Sequence, residues 1–209
     1  EKDPAAQSAI IRRIENGTSA LSDLLNSLLD ISRLDGGGVQ IYEEDFALSR
    51  ILGNLQNTYQ SLAQEKGLDL FIRPTKACTR SDPVLLERIL SNLVSNAVRY
   101  TPVGGVVYVA VRPRGQEWLV QVRDSGPGIS PKDQDNIFQE FVQLNNPQRD
   151  RSQGLGLGLA IVKEIASQHG AEVQVRRALG DASRVDQHAV NKHCGDHGHL
   201  GEARAAAAR

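Results

Sequence analysis

Methionine is absent from this chain of 209 residues, tryptophan occurs once, cysteine twice, and aromatic residues make up only 4%. Cys78 and Cys194 lie far apart in unlike surroundings, which suits a reducing compartment and argues against a disulfide framework. Charge of either sign is not in excess: the formal net charge is -1. No overall positive field can therefore steer the chain onto nucleic acid or anionic lipid, and any basic group must act locally. No apolar run approaches the length of a membrane-spanning helix, and no signal peptide opens the sequence. The expectation is a cytoplasmic protein that meets a membrane only through segments outside this chain. Without a secretory signal, the sequon-like Asn16-Gly17-Thr18 is read as chance. The chain opens at Glu1 rather than at Met and is read as a piece of something longer. No histidine precedes His169.

What is present begins with a helix. Asp3-Pro4 supplies a cap followed by proline in the first turn. Ile14, Leu21 and Leu28 then recur every seven residues, with Leu24 and Ile31 between them. That heptad seam, widened by Leu25, Leu29 and Leu34, calls for partner helices in a bundle made between chains. The other reading is a helix folded back on the domain that follows. Asp35-Gly36-Gly37-Gly38 stops the helix and makes a flexible joint, the best domain boundary in the sequence.

Beyond the joint, Val39 to Tyr42 is predicted as a short strand and Phe46 to Lys66 as an amphipathic helix through Ile51, Leu52, Leu55, Tyr59 and Leu62, capped by Gly67. Leu68 to Ile72 and Cys78 to Ser81 read as strands. Asp82-Pro83 opens a helix running to Tyr100, with Leu86, Ile89, Leu90, Leu93, Val94 and Ala97 on its apolar face. Val106 to Arg112 and Trp118 to Arg123 form a hairpin around a turn at Pro113 to Gln116, Ala160 to Gln168 is a helix, and Ala171 to Val175 is a strand. From Ala178 to Arg209 hydrophobic periodicity fails and the chain ends in an Ala-rich tract. His188, His193, Cys194, His197 and His199 match no standard zinc spacing, so this stretch reads as a solvated, disordered tail rather than a metal site.

Four stretches carry chemistry. On the helix ending at Tyr100, Asn92 and Asn96 lie one turn apart on the same edge, with Arg99 and Tyr100 beside them. Glu and Lys are better helix formers than Asn, so paired amides there cost some stability and ask for a reason. Asp124-Ser125-Gly126-Pro127-Gly128-Ile129 follows the hairpin directly. Its glycines and proline allow a tight turn and close approach to a flat ligand, although the same residues serve ordinary turns. Phe138 and Phe141 anchor an otherwise polar segment, and Asn145 to Gln153 reads as a loop bearing Arg149 and Arg151. That loop ends in Gly154-Leu155-Gly156-Leu157-Gly158-Leu159, running straight into a helix. Glycines there expose backbone N–H groups to a phosphate at the favourable end of the helix dipole. Neither a P-loop nor a dinucleotide fingerprint is present, since no Lys-Ser/Thr follows and no strand precedes.

In this order and spacing the pieces closely resemble the catalytic and ATP-binding domain of sensor histidine kinases, hybrid-type ones especially. That family lies within the ATPase superfamily that also holds gyrase and the heat-shock chaperone ATPases. The likeness runs from about Ile14 to Val175: Asn92 to Tyr100 is like the asparagine box, Asp124 to Ile129 the first glycine box, Phe138 to Phe141 the phenylalanine box, and Gly154 to Leu159 the second glycine box. The segment Leu28 to Asp35 looks like the end of the second helix of the dimerisation and phosphotransfer hairpin.

The resemblance implies an α+β fold, a two-layer sandwich with a mixed sheet and helices on one face, preceded by a bundle-forming helix. Residues 1–37 would be the second dimerisation helix, 38–178 the ATP-binding domain and 179–209 the atypical tail. It further implies ATP and Mg²⁺ as ligands, a homodimer through the N-terminal helix, and a receiver domain of a response regulator as partner. Asp124 would accept from the adenine amino group, with Gly126, Gly128 and Ile129 shaping the base pocket. Asn96 would give its amide oxygen to Mg²⁺, and Arg99, where the family usually has Lys, would bind phosphate oxygens together with Tyr100. Gly154, Leu155, Gly156, Leu157 and Gly158 would line the phosphates, and Arg149 or Arg151 would reach the γ-phosphate. Catalytic roles fall to Asn92, Asn96 and Arg99.

Two departures qualify this. The phosphoacceptor histidine and its helix are expected upstream of Glu1. Val185 to Val190 makes a poor strand by pattern, which leaves the last strand of the sheet in doubt. The alternatives are an ATP-hydrolysing machine of the same superfamily, or a nucleotide-binding or dimerising module without chemistry. In the hydrolysing relatives a Glu stands where this chain has Asn92, and an amide is a very poor general base.

Overall fold

The computed structural model describes residues 17–18, 41–144, 156–168, 171–178 and 184–192. The heptad helix expected before Gly36 lies outside the described residues, except Gly17 and Thr18, which are helical. The elements in chain order are β1 (Glu44–Ala47), α1 (Leu48–Glu65), β2 (Asp69–Ile72), β3 (Cys78–Ser81), α2 (Pro83–Tyr100), β4 (Val106–Arg114), β5 (Glu117–Asp124), α3 (Gly158–Gln168), β6 (Val173–Ala178) and β7 (Arg184–Lys192). A single 3-10 turn, Asn136–Phe138, sits between β5 and α3.

The hairpin of β4 and β5 is the centre of a five-stranded mixed sheet in the order β2-β4-β5-β7-β6. Only the β2–β4 pair is parallel. Across the hairpin, Val109 opposes Val122 and Val111 opposes Val120. Alternation puts one row of valines on a single face, and Val107, Val109, Val120 and Val122 are buried there. α2 covers this row with Leu86, Ile89, Leu90, Leu93, Val94 and Ala97, the apolar face expected from the sequence. Burying a leucine such as Leu93 contributes about 1.5–3 kcal/mol relative to leaving it in water.

α2 begins where the sequence signals it. Asp82 caps it, Oδ1 accepting from the N–H groups of Val84 at 3.0 Å and Leu85 at 3.1 Å. Its other oxygen accepts from the Tyr42 N–H at 3.0 Å, tying the segment just beyond the glycine joint to the start of α2. α1 lies alongside, with the Tyr59 hydroxyl 3.1 Å from the Ser91 carbonyl oxygen and Asn54 donating to Glu87. Trp118 serves structure, its indole N–H donating to the Cys78 carbonyl at 2.7 Å. This bond links the small β1–β3 sheet to the main one.

The backbone departs from the sequence expectations in three places. The first described strand is Glu44–Ala47, where β3 pairs, Phe46 opposite Thr79; of the strand expected at Val39–Tyr42, Ile41 and Tyr42 are not in a strand and Val39 and Gln40 lie outside the described residues. Leu62 of the expected α1 stripe is exposed, and Ala63 is buried instead. The third departure is the largest. Residues Arg184–Lys192, read as part of a disordered tail, form β7, which pairs with β5 and β6 on its two sides.

Candidate functional site

Asn92 and Asn96 are half-buried on α2, and Arg99 and Tyr100 are exposed at its last turn. The Asn92 Nδ2 donates to the Arg88 carbonyl at 3.0 Å, one turn back. That bond fixes the amide and turns its Oδ1 outward. Burial lowers the Arg88 guanidinium from its ordinary value, but a guanidinium stays charged at neutral pH.

The start of α3 meets this edge. A methyl group on Gly158 would lie 2.9 Å from Asn92 Oδ1 and 3.9 Å from Asn96 Nδ2. The first amides of α3 thus stand beside the two asparagines, where a bare Cα allows the approach. One turn of chain earlier, Gly156 has φ +72°, and its carbonyl accepts from the Phe141 N–H at 3.0 Å. A side chain at 156 would run into the Val142 carbonyl oxygen at 2.7 Å. The second glycine stretch is therefore seated on the phenylalanine stretch. Phe141 has φ 62°, the only non-glycine residue with positive φ among the described residues. Lys163 of α3 places its ammonium 5.9 Å from the Phe138 ring centre, and Ile137 is buried beneath.

By the last turn of α2, Asp124 closes β5 and is 6% exposed. Its backbone is held between Val107 of β4 and Val185 of β7. The carboxylate Oδ1 accepts from the Gly126 N–H at 2.8 Å. A methyl on Gly126 would stand 2.6 Å from that oxygen and 3.2 Å from the Tyr100 carbonyl oxygen, so this turn needs glycine to lie against the end of α2. Gly128 has φ +75°, and Ile129 is half-buried. Ser125 binds Val106 in both directions: its N–H donates to the Val106 carbonyl at 3.0 Å, and its Oγ accepts from the Val106 N–H at 2.8 Å. Next to it, the Thr101 hydroxyl is buried without a hydrogen-bond partner among the described residues.

α2 is thus the spine of the site. Gly158 reaches it at Asn92 and Asn96, and Gly126 with Asp124 reaches it at Tyr100. Arg149, Arg151, Gly154 and Leu155 lie outside the described residues, while Leu157 is buried under the start of α3. Lys66, which carried no role in the sequence reading, donates from Nζ to the carbonyls of Val98 at 2.8 Å and Arg99 at 2.5 Å. Its only sequence signal is its place just before the capping Gly67. Among the described residues no three His, Cys, Asp or Glu side chains gather to hold a metal ion, and no helix is long and apolar enough to cross a membrane.

Residues 81–190 match the family described as histidine kinase-, DNA gyrase B- and HSP90-like ATPase, the segment that holds β7 as well as α2 and the hairpin. The chain belongs to that family. Within it the relatives are sensor kinases. The chain is 35% identical over 181 residues to the circadian input-output histidine kinase CikA of Synechococcus elongatus, covering 85% of this chain and 24% of that protein. Full-length ShkA, solved in complex with AMPPNP, superposes with a TM-score of 0.72 at 25% identity, over 93% of this chain and 41% of that one. The histidine kinase ThkA, solved with the response regulator TrrA, has the same fold, with a TM-score of 0.71 at 20% identity over 93% of this chain and 53% of that one. The fold and the family are those of a histidine kinase catalytic, ATP-binding domain, and the chain spans about a quarter of the length of CikA.

Proposed function

We propose that this chain binds Mg-ATP along α2 and transfers the γ-phosphoryl group to a histidine carried on a segment upstream of Glu1. The observation that carries the reading is the approach of Gly158 to Asn92 and Asn96, which sets the first amides of a helix beside two neutral amides. Asp124 takes the adenine amino group beside the last turn of α2, where its carboxylate is buried and already oriented by the Gly126 N–H. Arg99 and Tyr100, on that last turn, hold phosphate oxygens, Arg99 bidentately. Leu157, Gly158 and the amides before them follow the phosphates, and Arg149 or Arg151 meets the γ-phosphate as charge develops.

The residues at hand fit Mg²⁺ in one way. Among the described residues no carboxylate cluster forms, so the ion would be held by the Asn96 amide oxygen, water and the triphosphate itself, which suits a hard cation that dehydrates reluctantly. When bound it neutralises charge on the phosphates.

In the reaction an imidazole nitrogen forms a bond to the γ-phosphorus while the bond from that phosphorus to the β,γ-bridging oxygen breaks. ADP leaves with the electron pair, and the ring proton is lost to solvent. The protein's part is to hold donor and acceptor in line. Asn92 supports transfer over hydrolysis, since an amide cannot deprotonate water efficiently. The N-terminal heptads favour a homodimer, and the ThkA complex with TrrA supports passage of the phosphoryl group to an aspartate of a receiver domain.

Radiolabelled ATP tests this directly. Mixed with a separate helical fragment bearing an acceptor histidine, the chain should label that fragment, and Asn96→Ala should abolish the label. Brisk release of free phosphate with no labelled fragment would replace the kinase reading by the ATPase one.

A further inference from the structure

α2 ends abruptly. Thr101 leaves the helix with φ -71° and ψ 128°, and its N–H closes the last helical bond, to the Ala97 carbonyl at 3.1 Å. The carbonyls that follow, Val98 and Arg99, have no helical partner. A side chain from another element takes both: the Lys66 ammonium.

Lys66 is well placed to hold a fixed position. Its own N–H is bonded to the Leu62 carbonyl at 3.2 Å, and it stands at the end of α1 just before Gly67, whose φ is +71°. The Gly67 N–H donates to Gln64 at 2.9 Å, and the Gly67 carbonyl accepts from Gly104 at 2.8 Å. Two residues on, the Asp69 N–H donates to Gly105 at 3.0 Å. The corner between α1 and β2 is thus bolted to the turn after α2, and the lysine spans the gap between them. A cation at a helix C-terminus also complements the dipole.

This cation has a cationic neighbour. Burial first, and the charge of Arg99 second, lower the Lys66 ammonium from its ordinary value. Like charges held together at one helix end repel, so the Arg99 guanidinium is favoured in positions directed away from Lys66, and an anion arriving beside Arg99 relieves the repulsion.

We infer that Lys66 is a positioning residue for the triphosphate: by capping the Val98 and Arg99 carbonyls it fixes the last turn of α2 and so aims Arg99 at the phosphates. The inference rests on the proposed ATP site and adds to it a residue on a different element that touches no nucleotide. It acts through Arg99, so its effect should depend on Arg99 and on the presence of phosphates.

The test is a set of calorimetric titrations with the full chain. Lys66→Met, which leaves Arg99 in place but no longer aimed, should weaken ATP binding about five- to tenfold and should leave adenosine binding unchanged. Lys66→Arg should restore ATP binding. In an Arg99→Ala background, Lys66→Met should add nothing, the non-additivity expected of residues that act as one. Equal loss of adenosine and ATP would reduce Lys66 to a fold-stabilising cap, and additive losses with Arg99→Ala would remove the link to Arg99; either overturns the inference. ATP binding indifferent to Asn96→Ala would instead overturn the site on which it rests.

Discussion

Gly158 lies so near Asn92 that a single methyl group on its Cα would stand 2.9 Å from the asparagine Oδ1. Inside most helices Gly→Ala stabilises by about 1 kcal/mol. Here the added methyl must displace an amide already bonded to the Arg88 carbonyl. Gly158→Ala should therefore lower ATP affinity by about tenfold or more, and the thermal midpoint should not rise, the helical preference of alanine being offset by the displaced amide. Calorimetry and a melting curve on one preparation measure both, and unaltered ATP affinity would remove the second glycine stretch from the site.

Asp124→Asn keeps the shape of the side chain and exchanges a carboxylate oxygen for a donor. A hydrogen bond to a charged group is worth about 1.5–3 kcal/mol, so ATP binding should fall by roughly ten- to a hundredfold. The preference for ATP over GTP should shrink with it. Titration with both nucleotides checks this, and an intact preference would place base recognition elsewhere.

Chelation offers a third check. If the Asn96 oxygen is a ligand of Mg²⁺, then EDTA should weaken ATP binding to the natural chain much more than to Asn96→Ala, which has already lost that ligand. An equal response of the two proteins would separate Asn96 from the metal.

Asp82→Ala removes the cap from two N–H groups of α2 and strands the Tyr42 N–H. Loss of a cap costs about 1 kcal/mol and the one further bond, from the exposed Tyr42, adds up to a similar amount, so urea unfolding should show a loss of about 1–2 kcal/mol. Asp82→Asn should lose less, since one oxygen remains to accept. Equal stability of all three chains would show the cap to be idle.

Legibility of the fold followed how local its causes are. α2 was readable because cap, proline and apolar period all lie within its own residues, and the hairpin because Val107, Val109, Val120 and Val122 alternate beside a turn. Glu44–Ala47 carries no strand pattern of its own: it buries only Phe46 and owes its strand form to pairing with β3. β7, which the sequence leaves in doubt, is hard to read for the same kind of reason. Asp186-Gln187-His188 has no strand pattern, yet backbone bonds to neighbours on both sides hold it extended. In the site, the asparagines, Asp124 and the glycines announced themselves by type and order. Lys66 did not, because a cap given by one helix to another leaves no spacing to read.

The position of β7 bears on how the molecule is made. The last of the described strands in chain order lies in the interior of the sheet, between β5 and β6. Before residues 184–192 are synthesised, β6 has no sheet neighbour among the described strands, and β5 presents the whole edge from Glu117 to Asp124 to any passing strand. The β5–β7 pairing joins segments distant in sequence and is correspondingly slow to form, whereas β6 and β7 are close in the chain. The nascent chain therefore passes through a stage with an adhesive open edge, and Asp124 stands at the end of that edge, without its second strand neighbour until the gap is filled.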